Sequence, residues 1–245
     1  MKKLLKKIVK RTGYSVRKLQ SQEALIFATQ KKLLSTTEPV TIFDVGAYLG
    51  ETVAAYHQLF AGHCSIYAFE PFPEVFAQLK TNTAAYANVH LFNCALGDAV
   101  QEAPFYVNKF HATNSLLATD PQGHESWGKG ILETERQITV PIRTIDELVE
   151  DQQLKQIDIL KLDTQGSEDL ILAGARESIN RGLIKIIRTE MIVMPTYQNQ
   201  KPLHEILGLY TEMGFQLYNL YNVLDPKGQL RFLDGIFVHQ SHMIR

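Results

Sequence analysis

Asp44, Glu70, Asp163 and Glu190 each close a short apolar run: VTIFD at 40–44, CSIYAFE at 64–70, IDILKLD at 157–163 and IKIIRTE at 184–190. A carboxylate accepts hydrogen bonds from paired hydroxyls and attracts cationic groups, and it repels phosphate. Asp44 and Glu70 are 26 residues apart and Asp163 and Glu190 are 27 apart, so each pair spans one strand–helix–strand crossover. Acids at such strand ends share the crevice in which open parallel sheets hold ligands. Within DVGAYLGET at 44–52, Gly46 lets the backbone come close to a ligand. Gly50 stands at the head of a helical pattern whose free N–H groups suit a carboxylate. The G-x-x-x-G spacing is not the G-x-G-x-x-G of a dinucleotide site.

Alternating strands and helices must hold these acids. Helical patterns are predicted at 16–34, 50–62 and 74–86, with strands at 40–46, 64–70 and 88–96. The right-handed crossover rule then builds a parallel sheet. The rhythm breaks between 97 and 143, which reads as an inserted hairpin or cap. Thr144 and Glu147 match a capping box that starts a helix. Alternation resumes with a strand at 157–163, a helix at 167–180, a strand at 184–190 and a helix at 202–214. Strands at 215–221 and 230–240, joined by Asp225-Pro226-Lys227-Gly228, predict an antiparallel hairpin. The expected organisation is one α/β domain over 39–245 behind a basic helical arm over 1–38.

Composition narrows the function. With 245 residues, 45% of them hydrophobic, the chain can bury one sizeable core. No run approaches the ~18 apolar residues of a membrane span. The N-terminus lacks the apolar stretch of a secretion signal, so a cytoplasmic protein is expected. Cys64 and Cys94 lie in apolar strands and read as buried free thiols. Eight of the 25 basic side chains fall in the first 22 residues with no acid among them, leaving 17 against 26 acidic ones in the rest. Such a body repels nucleic acid, whereas the basic segment at 1–20 could touch an anionic membrane surface.

A ligand with ribose hydroxyls, an ammonium, a carboxylate and a positively charged sulfur meets every feature of the acidic rim, and S-adenosylmethionine is such a ligand. Glu70, 20 residues past Gly50, stands where a ribose-binding acid is expected. The motifs DVGAYLGET, YAFEPFPEVFAQLKTN, ALGD, VPIRTIDEL and IDILKLDTQGSEDLILAGA, in this order over about residues 40–240, resemble the FkbM-type S-adenosylmethionine-dependent methyltransferases. The resemblance implies a Rossmann-like class I methyltransferase sheet of seven mostly parallel strands, the last antiparallel, with helices on both faces. It implies methylation of a hydroxyl, often on a sugar. Carried over by position, Asp44, Gly46 and Gly50 line the methionine end, Glu70 holds the ribose, Asp98 of ALGD lies by the adenine and Asp163 sits near the sulfonium. Two positions depart from the usual wording: Tyr48 stands for asparagine and Gln165 for glutamate. Gln165 removes a charge, so it is assigned no catalytic role and no metal is expected.

Methyl transfer to a hydroxyl needs a group that takes the proton. The candidates are Asp163 and Glu190, with His111 of the inserted segment as a third. Trp127, the one tryptophan, could stack on a sugar face, although a packing anchor is the simpler role. The expected acceptor is a small molecule, glycan or glycolipid. The alternative is a module that binds the cofactor without turning it over. A base-flipping nucleic-acid enzyme is disfavoured, because Thr164-Gln165-Gly166 follows Asp163 where an N-P-P-Y-like run would stand.

Overall fold

The computed structural model describes residues 21–34, 37–128, 130–224 and 228–243. The basic segment at 1–20, with its proposed membrane contact, lies outside the described residues. The first described helix, α1 (Gln22–Leu33), is capped by Ser21, whose hydroxyl accepts from the Ala24 N–H at 3.2 Å. The chain then runs β1 (Val40–Val45), α2 (Glu51–Leu59), β2 (Cys64–Phe69), α3 (Pro73–Thr83) and β3 (Val89–Phe92). Next come β4 (Ala95–Leu96), β5 (Gln101–Asn108), α4 (Pro121–Trp127) and β6 (Thr134–Arg143). The last part holds α5 (Ile145–Asp151), β7 (Ile157–Leu162), α6 (Glu168–Ala173), α7 (Arg176–Asn180), β8 (Ile184–Ile192), α8 (Leu203–Glu212), β9 (Phe215–Leu224) and β10 (Leu230–His239).

The main sheet has seven strands in the order β3-β2-β1-β7-β8-β10-β9. Its first five strands pair in parallel, and β10 runs antiparallel to both β8 and β9. This is the expected mostly parallel sheet with an antiparallel last strand. Every residue of β7 is buried, as a central parallel strand covered on both faces requires. On one face Ile26 and Phe27 of α1, Val53 and Tyr56 of α2 and Leu79 of α3 pack on Ile42, Ile66, Ile159 and Ile236. On the other, α5 to α8 supply Leu148, Ile171, Ile179 and Tyr210 against Phe43, Leu160 and Ile187. Among the described residues no helix is long and apolar enough to cross a membrane. Cys64 and Cys94 are buried free thiols.

Two predicted elements divide. The strand expected over 88–96 ends at Phe92, because the Asn93 side-chain amide donates to the carbonyls of Glu70 and Pro71 at 2.8 and 3.1 Å and bends the chain. Ala95 and Leu96 then pair with Ile142 and Arg143 in a second sheet of order β4-β6-β5. The helix expected over 167–180 breaks at Gly174. A Cβ there would stand 2.0 Å from the Gly97 carbonyl oxygen, and the Asp146 carboxylate restarts the chain as α7 by accepting from the N–H groups of Glu177 and Ser178 at 2.9 and 2.8 Å. Half of the expected capping box forms. Thr144 accepts from the Glu147 N–H at 3.1 Å, while the Glu147 carboxylate turns to Arg143 at 2.9 Å.

Candidate active site

A cavity of about 330 Å³ opens at the carboxyl ends of β1, β2, β7 and β8, under the segment between β5 and β6. That volume lies in the range of small-molecule sites. Its floor is set by Gly46, which has φ +76° and whose hypothetical Cβ would lie 2.0 Å from the Asp163 carbonyl oxygen. Only glycine lets the β1 loop close on β7 in this way. Tyr48 lines the same cavity with φ +49°.

Glu70 lines the cavity at the tip of β2. One carboxylate oxygen accepts from the Phe72 N–H at 2.9 Å and the other from the Tyr48 N–H at 3.1 Å. Burial pushes its carboxyl up to about 7, against the opposing pull of those two N–H groups. Each oxygen keeps a free lone pair, enough for a ligand with two adjacent hydroxyls.

The strand tips carry charge in two rows. Asp44, Lys161 and Arg188 are cross-strand neighbours on β1, β7 and β8. Asp163 and Glu190 lie one pleat beyond Lys161 and Arg188 on the same face, and Asp234 of β10 is in register with Glu190. Lys161 Nζ is 2.9 Å from Asp44 Oδ1 and 3.6 Å from Asp163 Oδ2, and donates to the Gly46 carbonyl at 2.8 Å. Burial works against this ammonium, but Asp44 and Asp163 outweigh it and hold the lysine above its ordinary range. Arg188 Nε is 3.3 Å from Asp234 Oδ1, and its guanidinium lies over the Phe27 ring at 5.1 Å. Burial pushes the Glu190 carboxyl well above the carboxylate range, and Asp163, Asp234 and Glu168 push the same way.

Gln165 joins this rim to the segment above it. Its Nε2 donates to Asp163 Oδ1 at 3.1 Å and to Glu190 Oε1 at 3.2 Å. Tyr197 donates to its Oε1 at 3.0 Å, and the Ser115 hydroxyl donates to its backbone carbonyl at 2.8 Å. Its φ is +58°, a conformation uncommon outside glycine that the surrounding bonds maintain. His111 lies on the cavity wall in a 3-10 turn at His111–Thr113, its ring edge-on to Phe72 at 5.0 Å. Trp127 also lines the cavity. Its indole N–H donates to Thr196 at 2.8 Å and its ring stacks on Phe232 with centroids 6.0 Å apart.

Of the expected site residues, Gly46, Glu70, His111, Asp163 and Glu190 line this one cavity. Three do not. Asp44 is fully buried behind the floor, so the expectation that four acids share the rim is corrected to three of them. Gly50 begins α2 with φ +92° and packs against Leu79 and Thr83. Asp98 is exposed and off the lining, because β4 carries the chain away towards β6, and Cys94, Ala95 and Leu96 form that part of the wall. Sequence reasoning passed over Lys161, Arg188 and Tyr197 and gave Gln165 no role. The first two could have been found as lone cations inside apolar strands, where a charge must have a partner. Tyr197 carried no local signal.

The methyltransferase FkbM domain family matches residues 44–217. The chain is 27% identical over 184 residues to the 2-O-methyltransferase NoeI of Sinorhizobium fredii (strain NBRC 101917 / NGR234), covering 72% of this chain and 73% of that protein. It is 24% identical over 193 residues to the 31-O-demethyl-FK506 methyltransferase FkbM of Streptomyces tacrolimicus, covering 71% and 72%. Among solved structures, precorrin-6y C5,15-methyltransferase of Geobacter metallireducens GS-15 superposes with a TM-score of 0.48 at 12% identity, over 92% of each chain.

Proposed function

This chain belongs to the FkbM methyltransferase family and is an S-adenosylmethionine-dependent O-methyltransferase, and we propose that its acceptor is a sugar hydroxyl whose proton passes to Glu190. The observation that carries the reading is the sharing of one cavity by Glu70, Asp163 and Glu190. The residues present fit the donor. Gly46 leaves room where any side chain would collide with Asp163, Glu70 offers lone pairs to two ribose hydroxyls, and the acidic rim suits a cation. Bound there, the donor supplies a methyl group on positively charged sulfur, which keeps the bonding pair as the methyl passes to oxygen.

The chain's own residues do the rest. Asp163, whose side chain is 40% exposed towards the cavity, faces the donor's positive groups. Glu190, half-buried on the same wall, takes the proton that the hydroxyl loses. Holding the hydroxyl in line for transfer contributes roughly 7–11 kcal/mol in favourable cases. Phe110, His111, Trp127 and Phe232 give the outer wall aromatic character with Asn114 and Thr196 between them. This mixture suits the apolar face and the hydroxyl rim of a sugar ring. In this reading Trp127 is first a packing anchor, held by Thr196 and Phe232.

The test is incubation with methyl-labelled S-adenosylmethionine and fractionated glycan, glycolipid and small-molecule extracts. The expected result is label in a methyl ether, falling by about 10²–10⁴-fold in Glu190→Gln. Label on nitrogen or on a carboxylate, or donor binding with no transfer to any fraction, overturns the reading.

A further inference from the structure

Of the strand-tip acids Asp44, Asp163, Glu190 and Asp234, only Glu190 has no ion pair among the described residues. Lys161 is shared by Asp44 and Asp163 at 2.9 and 3.6 Å, and Arg188 is engaged by Asp234 at 3.3 Å. From the elements packed around it, Glu190 is faced by Asp163 just past β7, Asp234 on β10, Glu168 on α6 and Tyr197 beyond β8. Against these groups stands the Gln165 amide.

The amide's orientation follows from its neighbours. Tyr197 has a single hydroxyl hydrogen with two acceptors in reach, the Thr113 carbonyl at 2.9 Å and Gln165 Oε1 at 3.0 Å. A flipped amide would set its oxygen against both carboxylates, so Nε2 faces Asp163 and Glu190 and Oε1 is left to accept from Tyr197. The two hydrogens on Gln165 Nε2 are left for the two carboxylates, one each. A glutamate here would set a third carboxylate against two others at the same distances, and a leucine would offer neither carboxylate a donor.

We propose that Gln165 is a positioning residue that divides the work of the two acids: one amide hydrogen holds Asp163 as a fixed anion beside Lys161, and the other holds Glu190 as the acid that gives up a proton when a positively charged donor enters. The inference rests on the methyltransferase reading above. It fits the burial of Glu190 among like charges, which favours its protonated form in the empty site. The charge of the donor sulfur then favours the carboxylate, so Glu190 is ready to accept a proton only when a methyl group is available.

S-adenosylmethionine and S-adenosylhomocysteine share the ribose, ammonium and carboxylate and differ in the charge on sulfur. Proton release through Glu70 is therefore common to both and cancels in their difference. Calorimetric titration of the full chain at neutral pH, in buffers of different ionisation enthalpy, should show S-adenosylmethionine releasing more protons than S-adenosylhomocysteine, by up to one. The ratio of the two affinities should change by as much as tenfold per pH unit across the transition. In Glu190→Gln both ligands should bind with equal proton release. In Gln165→Leu the transition should move to higher pH, and in Gln165→Glu further still, with the S-adenosylhomocysteine profile unmoved. Equal proton release by the two ligands in the unmodified chain overturns the proposal, as does a transition that stays in place when Gln165 is replaced. A variant that weakens both ligands alike marks Gln165 as merely structural and also overturns it. Failure of either ligand to bind the unmodified chain would instead sink the methyltransferase reading.

Discussion

Replacing Lys161 by methionine should destabilise the empty protein by about 3–5 kcal/mol, the usual cost of breaking a buried ion pair from one side. The geometry places Lys161 at the high end of consequence. Asp44 has no exposed surface, its nearest counter-charge is the Lys161 ammonium at 2.9 Å, and the same ammonium satisfies the Gly46 carbonyl at 2.8 Å. Methionine keeps most of the volume and removes the charge, so cavity formation adds little. For a chain of this size the loss corresponds to a fall in Tm of roughly 6–20 °C. Urea denaturation followed by circular dichroism at pH 7, without ligand, measures it. Adding Asp44→Asn to Lys161→Met should restore more than half of the loss, since the stranded charge disappears with it. A Lys161→Met protein within about 1 kcal/mol of the unmodified chain would refute the reasoning, and so would a double variant no more stable than the single one.

Glu70→Gln should weaken S-adenosylhomocysteine by about 10- to 100-fold, as expected for hydrogen bonds to a charged group, read by calorimetry above pH 7. The folded Glu70 carboxyl is raised from 4.5 to about 7, so its contribution to the stability of the empty protein is full below pH 4.5 and lost as pH rises through 7. That loss is about 3 kcal/mol, and the pH dependence of urea denaturation should be flatter by that amount in Glu70→Gln. Gly46→Ala should abolish measurable donor binding and lower Tm, because its Cβ meets the Asp163 carbonyl at 2.0 Å; calorimetry and thermal melts check both. Trp127 is the sole tryptophan and lines the cavity, so a true acceptor should shift its fluorescence in the presence of S-adenosylhomocysteine and shield it from acrylamide.

The alternation of strands and helices and the positions of Glu70, Asp163 and Glu190 at the strand tips were legible because each depends on local pattern. Buried parallel strands read as apolar runs, and a polar residue at the end of a run marks where the strand leaves the core. The depth of Asp44 was not legible. Its place in the sequence matches that of Glu70, but Lys161, 117 residues later, draws it under the floor. Asp98 was misplaced for a related reason, since the pairing of Ala95 and Leu96 with Ile142 and Arg143 joins segments more than 40 residues apart. The Gln165 network was hidden twice over. The residue departs from the more frequent glutamate, and its partners Ser115, Glu190 and Tyr197 lie 25 to 50 residues away along the chain.

These long-range pairings also explain why the site can tolerate so many acids. Among the described residues, Asp44, Glu70, Asp163, Glu190 and Asp234 stand at the strand tips with Lys161 and Arg188 as the nearby cations, so full ionisation leaves an excess negative charge in a partly enclosed site. In the proposal above, one proton on Glu190 relieves part of that excess before a ligand arrives. When the donor brings its positive sulfur, releasing that proton leaves the total charge of the site unchanged. In the proposed reading Glu190 would take the acceptor's proton as the methyl group leaves, so the total would again be unchanged. On this account the site meets no net change of charge at either step. The arrangement requires one acid to be poised and the others pinned, which is the distinction drawn by Lys161 on Asp163 and by Gln165 on Glu190.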